Sequence, residues 1–480
     1  MVSHVGYAAE RERTVRAGRL TSPAPVLALG DVAACLLAFL VSSVLVFAAI
    51  AWVEAGRLPA RLDTLILERF KPFVVFIPFL VFWFGTQGHY KRGLPFWTEA
   101  RQIAGAVLML ALIDGFSQYV SQELYSRPWL VLNWVLAGLF LFGGRIALKA
   151  VMLRIGVWQM PTVVVGTART IAEAVAALGS ERLLGYQVVQ RVDIEGPNGV
   201  VPTVDELTPF HAPHFVVIAA DAANLPRVEP LIGELHRRGK PFAIVPPLSG
   251  ISVLNMKAQG FFSHDAVLLT APNNLASTHA RMIKRTFDLV VAGLLVVLLS
   301  PVFLLLAYLI RRDGGPAFYS QKRIGRGGRL INCLKFRSMV PNAEAALQEL
   351  LDRDPAARAE WDATLKLKND PRITPVGHFL RRTSLDELPQ LFNVLRGEMS
   401  LVGPRPMLLE EPPKFGADIV YYYEVDPGIT GLWQVSGRND VDYKRRVQLN
   451  SWYVRNWSLW YDITILLKTV RVVLTRDGAY

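Results

Sequence analysis

The sequence predicts a membrane α protein that also carries an α/β unit, and three observations predict it. Hydrophobic residues make up 52% of the 480 and charged residues only 19%, against about 25% charged in an average soluble domain. Four long apolar stretches crowd the first 150 residues, and short β-branched runs alternate with helical ones from about residue 160 to 270. The composition excludes an intrinsically disordered chain, and the length accommodates about three domains of ~150 residues.

Residues 1–24 lack the short apolar core and cleavage site of a signal peptide and read as a cytoplasmic tail with Arg11, Arg13, Arg16 and Arg19. Within residues 25–152, the run 32–53 is uncharged for 22 residues, enough to cross ~30 Å of hydrocarbon as a helix. Stretches 72–88, 102–122 and 128–144 complete a four-helix transmembrane bundle. Asp114 interrupts the third; a charge at depth is costly, so it reads as a helix end at the interface rather than a proton or ligand site. With the tail inside, the inner segments hold ten cations, including Arg145 and Lys149, and the outer loops five, including Arg69. This bias places everything after residue 150 in the cytoplasm.

Residues 158–270 read as a small Rossmann-like cytoplasmic domain. Thr162-Val-Val-Val-Gly166, Phe215-Val-Val-Ile218 and Phe242-Ala-Ile-Val245 are its strands, with helices at 170–178 and 228–238. The first turn has one glycine, Gly166, where the dinucleotide fingerprint has three, so no cofactor is assigned. Arg169 reads as a surface arginine and the unit as structural or regulatory.

A fifth apolar run, 289–310, is again 22 uncharged residues. Arg281, Lys284 and Arg285 precede it and Arg311 and Arg312 follow, which conflicts with a crossing that ends on opposite sides. Ser300-Pro301 sits at its middle. Proline lacks the N–H of a continuing helix and forces a bend, and the Ser hydroxyl can satisfy a freed carbonyl. The prediction is a re-entrant helix returning to the same face.

Residues 281–480 hold 29 basic and 21 acidic residues, interleaved with glycine and proline turns. Arginines on rigid turns suit bidentate phosphate recognition. The central segment is Arg381-Arg-Thr-Ser-Leu-Asp-Glu-Leu-Pro-Gln390. Ser384 with Glu387 three residues on predicts a capping box opening an amphipathic helix over 385–395. A helix N-terminus favours a phosphate, and an ionised Asp386 there can attack phosphorus and form an acyl phosphate. Repulsion from an anionic substrate calls for cations, for which Arg381, Arg405, Lys335 and Arg337 are candidates, with Mg²⁺ held by one or two carboxylates. Two cysteines, Cys35 and Cys333, exclude a disulfide framework or a Cys-rich metal site. Asp352-Arg-Asp354 follows a polar helical stretch and reads as a solvated helix end. Trp452, Tyr453, Trp457, Trp460 and Tyr461 fit an interfacial aromatic belt or a core equally.

Lys284-Arg285 with Phe287-Asp288, the Ser300-Pro301 run, KFRSM, TSLDELPQLFNVLRGEMSLVGPRP and PGITGLWQVSGRND resemble the bacterial sugar transferase family, monotopic polyprenyl-phosphate phosphoglycosyl transferases. The likeness covers about 281–480, and the preceding helices and α/β unit resemble its large hexose-1-phosphate subclass. Tracts such as 367–373, 451–457 and the ending 476–480 look closest to the galactose phosphotransferase members. The resemblance implies a mainly α monotopic catalytic domain at the inner membrane's cytoplasmic face, using Mg²⁺. Asp386 would attack a UDP-hexose, expel UMP and hold a phosphosugar for transfer to undecaprenyl phosphate, opening synthesis of a surface polysaccharide. Glu387 would act as metal ligand or electrostatic partner beside Asp386. Arg381 and Arg405 would bind phosphates, as would Lys335 and Arg337, and Ser300 and Pro301 would set the membrane break. The other partners expected are the lipid bilayer and a second copy in a homodimer, with no nucleic acid. The rivals are a glucose-1-phosphate transferase, a DxD glycosyltransferase releasing UDP, and a non-catalytic assembly scaffold.

Overall fold

The structure is a computed structural model that describes residues 23–53, 62–91, 94–120, 127–195, 201–207, 215–245, 256–260, 267–270, 275, 277–364, 367, 370–437 and 441–475. The tail arginines, Arg438 and the ending 476–480 lie outside the described residues. The chain divides after residue 247 into two compact units.

The first unit opens with helices α1 (Ala24–Val53), α2 (Leu62–Thr86), α3 (Phe96–Val120) and α4 (Arg127–Arg154). Among the described residues α1, α3 and α4 are long and apolar enough to cross a membrane. Residues three and four apart on each helix share a face. Ala34, Ala38, Phe73, Ile77, Ile103, Ala106, Trp134 and Ala137 accordingly meet in one apolar core.

Two expectations change here. Arg145 and Lys149 do not flank a crossing but lie buried within α4. Arg145 grips Asp31 at 2.6 Å and Glu99 at 2.9 Å, and Lys149 reaches Glu99 at 2.6 Å. Two cations face two carboxylates, because a buried charge is tolerated only when paired. Arg69 is buried as well, over the Trp129 ring. Asp114 is likewise no wet helix end: it is 3% exposed and accepts from Trp134 Nε1 at 2.8 Å and Gln118 Nε2 at 2.9 Å.

The α/β part follows with β1 (Met160–Gly166), α5 (Ala168–Ser180), β2 (Tyr186–Asp193), β3 (Phe215–Ala219), α6 (Leu225–Arg237) and β4 (Phe242–Ile244). The strands form one parallel sheet in the order β2-β1-β3-β4. Alternation sends Val163 and Val165 to one buried face and Val164 to the other. Gly166 has a packing reason: a Cβ there would fall 2.1 Å from the Ala219 carbonyl oxygen. Arg169 is exposed and pairs with Glu173, as a surface arginine does.

The second unit begins with the antiparallel pair β5 (Lys257–Gly260) and β6 (Val267–Thr270), which the sequence placed in the preceding domain. Helices α7 (Thr278–Leu298) and α8 (Ser300–Arg311) follow, bent by 62° across Leu299. In a continuous helix the residue-301 N–H would bond the Val297 carbonyl; Pro301 has none, and the Ser300 hydroxyl donates to that carbonyl at 2.8 Å. The hairpin β7 (Phe318–Ile324) and β8 (Leu330–Phe336) comes next, then α9 (Ala343–Arg353), α10 (Pro355–Thr364), α11 (Pro375–Thr383) and α12 (Gln390–Arg396). The parallel pair β9 (Ser400–Val402) and β10 (Gly428–Thr430) and helices α13 (Tyr443–Arg455) and α14 (Leu459–Thr475) complete the unit.

Phe303, Phe336, Leu380, Leu391, Val402 and Ile465 form its core. Buried polar groups brace that core. Asp462, fully buried, accepts from Lys284 at 2.7 Å, Tyr453 at 2.7 Å and Trp457 at 3.1 Å. Asp288 accepts from the Ser400 hydroxyl at 2.8 Å. Tyr453 and Trp457 are therefore core residues rather than an interfacial belt.

Asn393 fixes α12 against β8. It is buried, donates to the Asn332 carbonyl at 2.8 Å and accepts from Leu334 N–H at 3.0 Å. Replacing it with alanine strands both backbone groups. Asn393→Ala should therefore destabilise the protein by about 1–3 kcal/mol, read as a lowered thermal unfolding midpoint in detergent. An unchanged midpoint would show that the bridge does not hold α12.

Candidate active site

The acidic pair sits between two helices rather than inside one. α11 starts at Thr374, whose hydroxyl accepts from Gly377 N–H at 2.9 Å. It lies so close to the KFRSM strand end that a Cβ on Gly377 would fall 1.9 Å from the Ser338 carbonyl oxygen. α11 ends at Ser384, whose φ of 56° makes it the sole non-glycine residue with a left-handed backbone among the described residues. Such a conformation stores of order 1–3 kcal/mol and is held only by its surroundings.

Leu385–Glu387 is then one 3₁₀ turn, and the next helix starts only at Gln390. This corrects the capping-box expectation: Ser384 is the C-terminal cap of α11, and its side chain makes no capping hydrogen bond to Leu385–Glu387. Pro389 supplies the reason. A helix over 385–395 would need the residue-389 N–H to reach the Leu385 carbonyl, and proline has none. Leu388 N–H takes that carbonyl at 3.2 Å instead, closing the tighter turn. Asp386 consequently owes little to a helix N-terminus, and side-chain cations provide the positive field.

Lys335, from β8, is the first of them. Its Nζ lies 2.7 Å from Glu387 Oε1 and 3.7 Å from Asp386 Oδ2, with side-chain exposures of 20%, 29% and 14% for Lys335, Glu387 and Asp386. Burial alone would raise both carboxyls. At Glu387 the charges of Lys335, Arg405 and Arg323 outweigh it, and the pKa ends below the ordinary value. At Asp386 burial prevails, helped by the Glu387 charge and opposed by Lys335 and Arg381, and the pKa ends above the ordinary value. Environment thus separates two adjacent acids.

The other predicted residues divide. Arg381 is exposed, donates to the Ser338 hydroxyl at 2.9 Å and acts on Asp386 through its charge. Arg405 is exposed and lines a narrow cleft with Lys335, Glu387, Gln390, Cys333, Pro406 and Gln434. Arg337 is not brought to the cleft. It is buried, and all five of its N–H donors are taken by Asp313 and the carbonyls of Ile310, Pro316 and Met339. It locks the end of α8 to the hairpin, and its absent partner in the sequence reading was Asp313. Sequence reading missed Arg323, which lines the same cleft. Strand alternation carried the signal: Arg323 pairs with Ile331, two and four residues before Cys333 and Lys335, so all three share one hairpin face.

Among the described residues no group of three or more His, Cys, Asp or Glu gathers to hold a metal. Asp386 and Glu387 are one adjacent pair, a donor set that suits a Mg²⁺ completing its shell with water and phosphate oxygens. The raised pKa of Asp386 is what a cation beside it would offset. Asp352 and Asp354 close α9, with Arg358 on Asp352 at 2.8 Å, a helix end as expected. Cys35 and Cys333 are free and buried.

Residues 279–476 match the family model described as bacterial sugar transferase. Over 402 residues the chain is 42% identical to the UDP-galactose-lipid carrier transferase of Erwinia amylovora, covering 82% of this chain and 84% of that protein. It is 41% identical over 430 residues to the undecaprenyl-phosphate galactose phosphotransferase of Salmonella typhimurium, covering 88% and 90%. The UDP-glucose:undecaprenyl-phosphate glucose-1-phosphate transferase of Escherichia coli is 34% identical over 276 residues, 56% of each chain. A cleft of cations around Glu387, with the unequal carboxylate of Asp386 beside it, and likeness along nearly the whole length lead to one conclusion: the chain belongs to the bacterial sugar transferase family.

Proposed function

We propose that this protein transfers hexose 1-phosphate, galactose 1-phosphate by preference, from a UDP-hexose to undecaprenyl phosphate and releases UMP. The observation that carries the proposal is the turn on which Asp386 and Glu387 stand side by side against Lys335. The relatives' names support the lipid carrier, and the longer and closer likeness to galactose enzymes than to the glucose enzyme supports the sugar.

The Asp386 carboxylate attacks the phosphorus that bears the hexose, and the P–O bond to UMP breaks with the electron pair leaving on UMP. The acyl phosphate so formed is then attacked at phosphorus by an oxygen of undecaprenyl phosphate, and the carboxylate leaves unchanged. One phosphoanhydride replaces another, and no net proton is required. Lys335, Arg381 and Arg405 neutralise the diphosphate, whose repulsion would otherwise keep the nucleophile away. Glu387, held ionised, positions Lys335. Asp386 and Glu387 would hold Mg²⁺, which neutralises and orients phosphate oxygens when bound.

The four helices of the first unit are taken as crossings and the parallel sheet as a Rossmann-like cytoplasmic domain. With Arg145, Lys149 and Arg69 discounted as buried, the cation balance is eight against four and keeps its sign. The bent pair α7–α8, with basic residues at both ends, is read as re-entrant at the inner leaflet of the cytoplasmic membrane. This position presents the cleft to a lipid phosphate.

Offered separately with undecaprenyl phosphate and Mg²⁺, UDP-galactose should be turned over faster than UDP-glucose, with UMP as the nucleotide product. UDP as product would support the DxD glycosyltransferase instead. Because a protonated oxygen cannot attack, adduct formation should fall off on the acid side as Asp386 takes up its proton. Removing the Lys335 charge (Lys335→Met) should move that limb upward and Glu387→Gln should move it downward, read in single-turnover rates against pH; limbs that stay put would remove Asp386 as nucleophile. A carboxyl whose pKa is higher folded than unfolded costs stability at neutral pH. Asp386→Asn should thus abolish turnover while leaving the unfolding midpoint unchanged or raised. Ser300→Ala with Pro301→Leu should straighten the bend and move residues after 311 to the opposite face, detected by cysteine accessibility; unchanged accessibility would mean that the break does not set the topology.

A further inference from the structure

Arg323 is a charged side chain only 8% exposed in the wall of the cleft. Its guanidinium donates to neutral acceptors alone: Gln321 Oε1 at 2.7 Å and the Pro406 carbonyl at 3.4 Å. Among the described residues no carboxylate lies within 4 Å of Arg323 or of Arg405, which lines the same cleft and depresses the Arg323 pKa after burial has done so. A buried guanidinium facing a second cation is costly unless an anion joins them. Glu387, the acid that lines the cleft, acts on both guanidinium groups through its charge but makes its contact with Lys335 at 2.7 Å, and Glu411 likewise reaches Arg323 through charge alone.

A second group in the same wall is incomplete. Gln434 donates to the Ile429 carbonyl at 3.3 Å, but its Oε1 is buried with no hydrogen-bond partner. Leaving such an acceptor unpaired costs more than its bond would gain, so it calls for a hydroxyl or N–H donor. A polyprenyl phosphate offers phosphate oxygens and hydrocarbon, with no donor at neutral pH. A nucleotide sugar offers a diphosphate and, beside it, ribose and hexose hydroxyls.

We propose that Arg323, with Arg405, seats the diphosphate of the nucleotide-sugar donor and that Gln434 accepts a hydrogen bond from a hydroxyl next to it. This assignment rests on the function proposed above and adds two binding residues to it. With a ribose hydroxyl as that donor the seat is the nucleotide's and holds UMP as it leaves, while Lys335 and Arg381, whose charges act on Asp386, stay with the phosphorus under attack.

The test uses the full-length protein in detergent, comparing Arg323→Gln, Arg323→Lys and Gln434→Leu, with Arg326→Gln as control. Arg326 is exposed on the neighbouring turn and lies 3.9 Å from Asp426. Loss of one charge-assisted hydrogen bond should raise the donor KM about tenfold in Arg323→Gln and less in Arg323→Lys. Gln434→Leu should raise the same constant, while the KM for undecaprenyl phosphate stays constant and Arg326→Gln matches wild type. Calorimetric binding of UMP should weaken about tenfold in Arg323→Gln as well. That measurement decides the seat even if no covalent adduct ever forms, so failure of the seat is separable from failure of the transfer reaction. Arg323 also holds the Pro406 carbonyl; should Arg323→Gln lose its cooperative thermal transition, Arg323→Lys and Gln434→Leu decide. Unchanged donor KM and UMP affinity in the folded variants, or a rise confined to the acceptor KM, would overturn the proposal.

Discussion

The missing N–H of Pro389 governs the site. With it, residues 385–395 would run as one helix, and Glu387 could turn back to cap its own first turn. Without it, the chain closes a 3₁₀ turn at Leu388 and restarts at Gln390. Asp386 and Glu387 then project from a short half-buried bend toward β8, where Lys335 meets both. One ammonium cannot serve two carboxylates equally. Glu387 takes the 2.7 Å contact and stays ionised; Asp386, at 3.7 Å, keeps the higher proton affinity and the freer oxygen.

Everything around that bend serves to hold it. Ser384 is forced into a left-handed backbone, Gly377 lets α11 lie against Ser338, and Asn393 ties α12 to the edge of β8. Behind them the Asp462 cluster joins α7, α13 and α14. Lys284, which the sequence counts among the cations flanking the apolar run, and Asp288, which it marks only within a motif, prove to be supports of this core. The precision that phosphorus chemistry needs comes from groups that never touch the cleft.

Much of this was legible in the sequence, for identifiable reasons. Apolar runs announce helices whatever surrounds them, so 32–53 and 128–144 lie within α1 and α4. β-Branched runs likewise marked β1 and β3 to within two residues. The Ser300-Pro301 break followed from what proline cannot donate. The same argument applied to Pro389 would have removed the capping box, but a Ser-x-x-Glu pattern is local and outweighed it. Arg337, Arg145 and Lys149 were misplaced for another reason. A cation's role depends on partners distant in sequence, Asp313, Asp31 and Glu99, and no window of residues shows whether a charge is buried and paired or free. Arg323 was missed because strand alternation reveals its side of the hairpin only once the register with Lys335 is known.

The central claim is that the Asp386 carboxylate itself becomes linked to the donor's phosphosugar. Mass spectrometry of the proteolysed protein, quenched after mixing with UDP-galactose and Mg²⁺ in the absence of lipid acceptor, tests it most directly. The account predicts a hexose-phosphate mass increment on the peptide that contains Asp386, lost on adding undecaprenyl phosphate. Full turnover with no increment, or an increment on any other side chain, would contradict it.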